Sequence, residues 1–103
     1  MAIPSAIETG YRAGMAADLE PDAFEMSSYA AEYTLGFIMG YSESLSIQMA
    51  NPDVAVWTAA ELAYRYNVSV RDLLSHMGFD REQTQRFHDA YEEERGNSSG
   101  LDY

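Results

Sequence analysis

The sequence predicts an all-α protein of about five helices, and three observations carry that prediction. Apolar residues recur at helical spacing, N-cap signals recur along the chain, and two pairs of glycines stand four residues apart within helix-period stretches. The pairs are Gly10 and Gly14, in Gly10-Tyr11-Arg12-Ala13-Gly14, and Gly36 and Gly40, in Leu35-Gly36-Phe37-Ile38-Met39-Gly40-Tyr41. Each glycine in a helix interior costs about 1 kcal/mol relative to alanine, which calls for a return in close backbone approach. The expected arrangement packs the two smooth faces together as a helical hairpin over residues 5–50, with Tyr11, Met15, Phe37 and Tyr41 interdigitating around the contact.

Taken in order, Ser5-Ala6-Ile7-Glu8 has capping-box form and predicts a first helix from Ala6 to Asp18 with Ile7, Tyr11, Gly14 and Met15 on its apolar face. Leu19-Glu20-Pro21 interrupts it, because the residue before proline is driven out of the helical region. A second helix starts near Asp22-Ala23-Phe24-Glu25 and is carried by Met26, Tyr29, Tyr33, Phe37, Tyr41, Leu45 and Met49, with Ser27-Ser28 as a potential break. Leu35, Ile38 and Met39 make its middle apolar nearly all round, so it must be covered on several sides. The C-terminal part, with apolar stripes of its own, is the expected cover; a second copy is the alternative, so the chain is a monomer or a homodimer.

Asn51-Pro52-Asp53 ends that helix, and Val54-Ala55-Val56-Trp57 reads as a connector, extended or a helical turn. Three capped starts follow. Thr58-Ala59-Ala60-Glu61 has Trp57 and Leu62 as a hydrophobic staple, Ser69-Val70-Arg71-Asp72 has Val68 and Leu73, and Asp80-Arg81-Glu82-Gln83 follows Gly78 at a C-cap position. Helices are predicted at 59–66, 70–77 and 81–95, a three-helix unit over 57–95. Residues 1–96 then form a single domain, Gly96 to Gly100 fray, and 97–103 is a disordered tail.

With 17 acidic residues against 6 basic ones, all arginine, the net charge is −11. Through Val56 the chain has eight acids and one arginine, beyond it nine acids and five arginines, so the acidity is spread along the fold. A field of this sign repels phosphate backbones and makes direct nucleic-acid binding unfavourable; basic proteins are the natural partners. The plain alternative is that acidity solvates a small protein or reflects a salt-rich or GC-rich source. Asp18, Glu20, Asp22, Glu25 and Glu32, around the first loop and without an intervening arginine, are the candidate partner-binding acids. The chain has no cysteine, which removes disulfide and thiolate chemistry, and its start reads as neither signal peptide nor membrane span, so a cytoplasmic location is expected.

Residues 5–45 resemble the ribosome modulation factor family, whose Gly-Tyr-x-Ala-Gly element matches Gly10 to Gly14 and whose aromatic-x-x-Gly-aromatic element matches Phe37-Ile38-Met39-Gly40-Tyr41. The resemblance implies a two-helix hairpin and descent from a ribosome-binding module, which makes the ribosome an alternative partner. Ala59 to Met77 resembles a helix-turn-helix, with Leu62, Ala63, Val68 and Leu73 at its small and apolar positions and Asn67 at the turn. That resemblance implies a DNA-binding regulator, although the second helix offers only Arg71, Ser69, Ser75 and His76 against Asp72, and three packed helices give the same pattern.

His76 and His88, the only histidines, each have a carboxylate one turn away, Asp72 and Glu92; two ligands apiece do not close a metal site, and a solvated pair is expected. No glycine loop follows a strand and no nucleophile has a flagged base, so no catalytic residue, cofactor or metal is expected. Tyr29, Tyr33 and Tyr41 read as core with hydroxyls at the rim, or as a protein-binding face. The functional expectation is a non-enzymatic acidic binding protein that blocks the basic surface of a nucleic-acid-handling complex. In size and composition it resembles phage or mobile-element inhibitors of the anti-restriction and anti-CRISPR type.

Overall fold

The computed structural model describes residues 5–99, which form six helices and, among the described residues, no strand. They are α1 (Ala6–Ala16), α2 (Ala23–Met26), α3 (Ala31–Gln48), α4 (Pro52–Arg65), α5 (Val70–Met77) and α6 (Arg81–Ser99). The protein is all-α. No helix of the described residues is long and apolar enough to cross a membrane.

Most starts are set locally. Ser5 Oγ accepts the Glu8 amide at 3.1 Å, whereas the Glu8 carboxylate turns away to Arg12 at 2.7 Å, so only half of the expected box forms. Asp80 and Gln83 make both halves, at 2.7 and 3.0 Å. Ser69 caps α5 through the Asp72 amide, and α5 stops at Gly78 with φ 69°, a conformation that glycine adopts without a Cβ penalty.

Four boundaries differ from the expected ones. The first helix ends at Ala16, two residues short of Asp18, where Ala17 turns to the extended φ −76°, ψ 137° and its amide still bonds the Gly14 carbonyl. The second splits: Ser27 and Ser28 hydroxyls donate back to the carbonyls of Phe24 and Glu25 at 2.6 and 2.8 Å, a side-chain competition that closes α2 after one turn, and α3 begins afresh at Ala31. Val54 to Trp57 is neither connector nor staple. Asn51 accepts the Asp53 amide at 3.0 Å and Pro52 occupies the first helical position, so α4 starts there and Thr58 lies in its interior. Finally, α6 continues through Gly96 to Ser99, because one exposed glycine costs a helix only about 1 kcal/mol. The rest of the expected tail, 100–103, lies outside the described residues.

The helices pack in series: α1 lies on α3, α3 on α4, and α4 on α6, with α5 tucked against α3. The middle of α3 is thus covered by α1 and by α4; Ile38 and Ser42 are fully buried, and the Ser42 hydroxyl returns to the Ile38 carbonyl at 2.7 Å. The same core continues through Val56, Leu62, Ala63, Leu73 and Phe87, which join α4, α5 and α6 to it. The molecule is elongated, 53 × 29 × 25 Å.

The α1–α3 contact is made of backbone. An added Cβ at Gly36 would stand 2.0 Å from the Ile7 carbonyl oxygen, and one at Gly40 would stand 2.1 Å from that of Tyr11. Conversely, Gly10 faces the Tyr33 carbonyl and Gly14 that of Phe37. Four residues further along α1 meets four residues further along α3, so the helices run parallel. A hairpin in the up-and-down sense is therefore not what forms. Residues 17–30 carry the chain back along the pair before α3 begins.

Candidate functional site

The returning segment is fastened to α4. Arg65 bonds Glu20 at 2.7 Å and Glu61 at 2.6 Å, and the Tyr66 hydroxyl donates to the Pro21 carbonyl. The hydrogen bond from Arg65 holds the Glu20 carboxyl below its usual range, against burial that pushes it up, and the nearby Tyr41 hydroxyl helps to lower it. Burial raises Tyr41 to about 12, with the Glu20 hydrogen bond and charge adding to the rise. Tyr66 also reaches about 12, mainly through burial, with Arg65 pulling the other way. Both charged partners keep about a third of their surface exposed, 35% and 31%, so the Arg65–Glu20 pair itself contributes no more than about 1 kcal/mol. Its role is to place the segment.

Of the five acids expected to face a partner, two are spent on structure. Glu20 is in that ion pair, and Asp22 caps α2 by accepting the Glu25 amide at 2.8 Å. Asp18, Glu25 and Glu32 are exposed and have no ion pair among the described residues. Among them stand two large apolar side chains on the surface, Phe24 at 89% exposure and Leu19 at 82%. Gly10, Gly14, Gly36 and Gly40 line the helix contact. Phe37 and Tyr41 are buried beside it with rings stacked 5.7 Å apart, and Tyr11 lies half-buried with its hydroxyl donating to Glu43.

Between the returning segment and the α4–α5 turn lies a cleft of about 510 Å³. Met26, Leu35 and Val68 supply apolar lining, Tyr29 and Tyr66 aromatic faces, and Arg65, Glu32 and Asp72 the charges. Asn67, at φ 55°, turns the chain so that residues 65–72 complete one wall. Sequence reasoning singled out Glu32, and Tyr29 as core or a protein-binding face, but did not bring them together in a cleft. The positive-φ signal at Asn67 marked the turn, but nothing local indicated that α2 would face it.

The second helix of the helix-turn-helix pattern exposes Arg71, Ser69, Ser75 and His76, while Leu62 and Leu73 are buried beneath it. His76 does not pair with the Asp72 carboxylate; its Nδ1 lies 2.8 Å from the Asp72 backbone oxygen, which satisfies the ring within its own helix. No group of three His, Asp or Glu among the described residues is placed to hold a metal ion.

No curated protein and no solved structure matches the chain. Residues 4–94 match a family model described as "Protein of unknown function (DUF2623)", and the chain belongs to that family.

Proposed function

We propose that this is a non-enzymatic acidic binding protein that occupies the basic surface of a nucleic-acid-handling protein, in the manner of anti-restriction or anti-CRISPR inhibitors from phage or mobile elements. The observation that supports this reading is the segment from Asp18 to Glu32, which carries exposed Leu19 and Phe24 together with Asp18, Glu25 and Glu32, three exposed acids with no ion pair among the described residues. Apolar anchors inside a charged rim are the anatomy of a protein interface, and a one-sign rim steers a partner of opposite charge. The cationic side of the ledger is largely neutralised as well: of the 6 arginines, Arg12, Arg65, Arg86 and Arg95 are engaged in ion pairs.

The test is affinity capture from lysate with the intact chain, set against a variant carrying Asp18→Asn, Glu25→Gln and Glu32→Gln. The expected capture is a nucleic-acid-binding protein that is displaced by competing duplex DNA and by salt, and lost by the variant. Recovery of the same proteins by both chains would refute the reading. Recovery of ribosomal proteins would favour the alternative, a ribosome-associated factor, which draws support from the position of the matching glycines at the helix contact.

A further inference from the structure

We propose that the cleft between α2, the start of α3 and the α4–α5 turn receives an arginine-bearing apolar segment of a partner protein. An apolar side chain seats on Met26, Leu35 and Val68, and the guanidinium faces Glu32 and Asp72. The proposal rests on the reading of this protein as a binder of basic protein surface, and it names where and by what chemistry the binding is made.

Four features argue for that occupant. Met26 and Leu35 are nearly fully buried at the base of the cleft, and no buried side-chain polar atom among the described residues lacks a hydrogen-bond partner. The base therefore offers its ligand apolar surface, and the polar groups of the lining stand around it. The charged lining is complementary to a cation: the Arg65 guanidinium is already occupied by Glu20 and Glu61, whereas Glu32 and Asp72 have no ion pair among the described residues. Tyr29 lies at the edge, half-exposed, its ring stacked on Tyr33 with 4.3 Å between centroids. A planar guanidinium can stack on such a face while bonding a carboxylate in bidentate fashion, which an ammonium cannot do. The same two carboxylates disfavour a nucleic-acid phosphate in this position.

The experiment titrates the full-length, isotopically labelled protein with a pool of short capped peptides that carry a central Leu or Phe flanked by Arg. Parallel pools carry Lys or Glu in place of Arg. Expected are amide shifts confined to residues around Met26, Ala31 to Leu35 and Arg65 to Asp72, weaker with Lys and absent with Glu. Glu32→Arg should weaken binding by about tenfold, the scale of one good charge contact. Ala31→Phe, on an exposed position at the mouth, should abolish the shifts while leaving the thermal transition in place. No shifts, shifts confined to α6, or equal shifts with the Glu pool would overturn the proposal. A basic partner still captured by the Ala31→Phe chain would overturn the cleft while leaving the broader reading intact; loss of capture on neutralising only Asp18 and Glu25, which lie outside the cleft lining, with capture kept in Glu32→Arg, would do the same.

Discussion

Replacing Gly40 with alanine is the smallest change that asks whether the α1–α3 contact is as close as it stands. The new Cβ would lie 2.1 Å from the Tyr11 carbonyl oxygen, where real Cβ atoms do not come within 3.0 Å of such a neighbour. The obstacle is backbone, so no side chain can swing aside, and the helices must separate by roughly 1 Å, a gap that forfeits a quarter to a half of the dispersion attraction across the contact. Overpacking of this kind costs about 1–3 kcal/mol, and a rigid obstacle belongs at the upper end. Alanine returns about 1 kcal/mol through its better helix propensity. The net expectation is a loss of about 2 kcal/mol. Gly96→Ala is the matched control: the site has nothing within 4 Å of a new Cβ, so only the propensity gain remains and stability should rise by up to about 1 kcal/mol.

Urea unfolding measures the global change, and hydrogen exchange of the α1 amides measures the local one. The local readout matters because α1 packs chiefly on α3, and releasing α1 is an alternative to straining the whole molecule. A second expectation follows from geometry. Once the helices have parted for Gly40→Ala, the same separation accommodates Gly36→Ala, so the double variant should lose less than the sum of the singles. If Gly40→Ala proved as stable as the parent, or behaved like Gly96→Ala, the close parallel pair would be wrong.

Four further expectations can be checked individually. The folded Glu20 carboxyl is held below its ordinary range, so its contribution is complete above about pH 5 and fades as pH falls through the lowered folded value; a thermal-melt series should show Arg65→Ala flattening that acid limb. Tyr41 and Tyr66 are raised to about 12, so stability should hold below the ordinary tyrosine value of 10.0 and fall as pH rises toward 12, with Tyr66→Phe reducing the slope in alkaline unfolding. Ala50 sits at φ 52° after α3, a left-handed conformation that costs a non-glycine residue about 1 kcal/mol, so Ala50→Gly should raise the unfolding free energy by up to that amount, seen as a higher urea midpoint at unchanged slope. Mobility shift against random-sequence duplex in low salt should show no retardation, since among the described residues only Arg71 and Arg81 lack an ion pair; micromolar binding lost in Arg71→Ala would make a DNA-binding regulator the better reading.

What could be read from the sequence was local. The starts at Ser5, Ser69 and Asp80 are fixed by side chains within three residues of the amides they cap, so the chain order alone reveals them. Asn51-Pro52 was ambiguous because the same dipeptide ends one helix and opens another; taken as a stop, it concealed the first part of α4. The glycine pairs announced a close contact but not its direction, because small faces fit one another in either sense. Glu20 looked like its acidic neighbours. What removes it from the free surface is Arg65, 45 residues away, a pairing that exists only after α3 and α4 have packed.

The direction of the glycine contact is what generates the candidate site. Had α1 and α3 run antiparallel, a tight turn would have joined them and residues 17–30 would have had no distance to cover. Because they run parallel, the chain leaving α1 beside Tyr41 must travel back along the pair to reach Ala31, crossing the surface of the molecule with Asp18, Leu19, Phe24 and Glu25 outward. A segment of that length, with only one turn of helix, would be loose on its own. The bonds of Glu20 and Pro21 to Arg65 and Tyr66 fasten its beginning to α4, and burial of Met26 fastens its end. The space enclosed between those two fastenings and the Asn67 turn is the cleft. Four glycines, unfavourable for the helices that contain them, thus determine where Phe24, Glu25 and Glu32 are displayed.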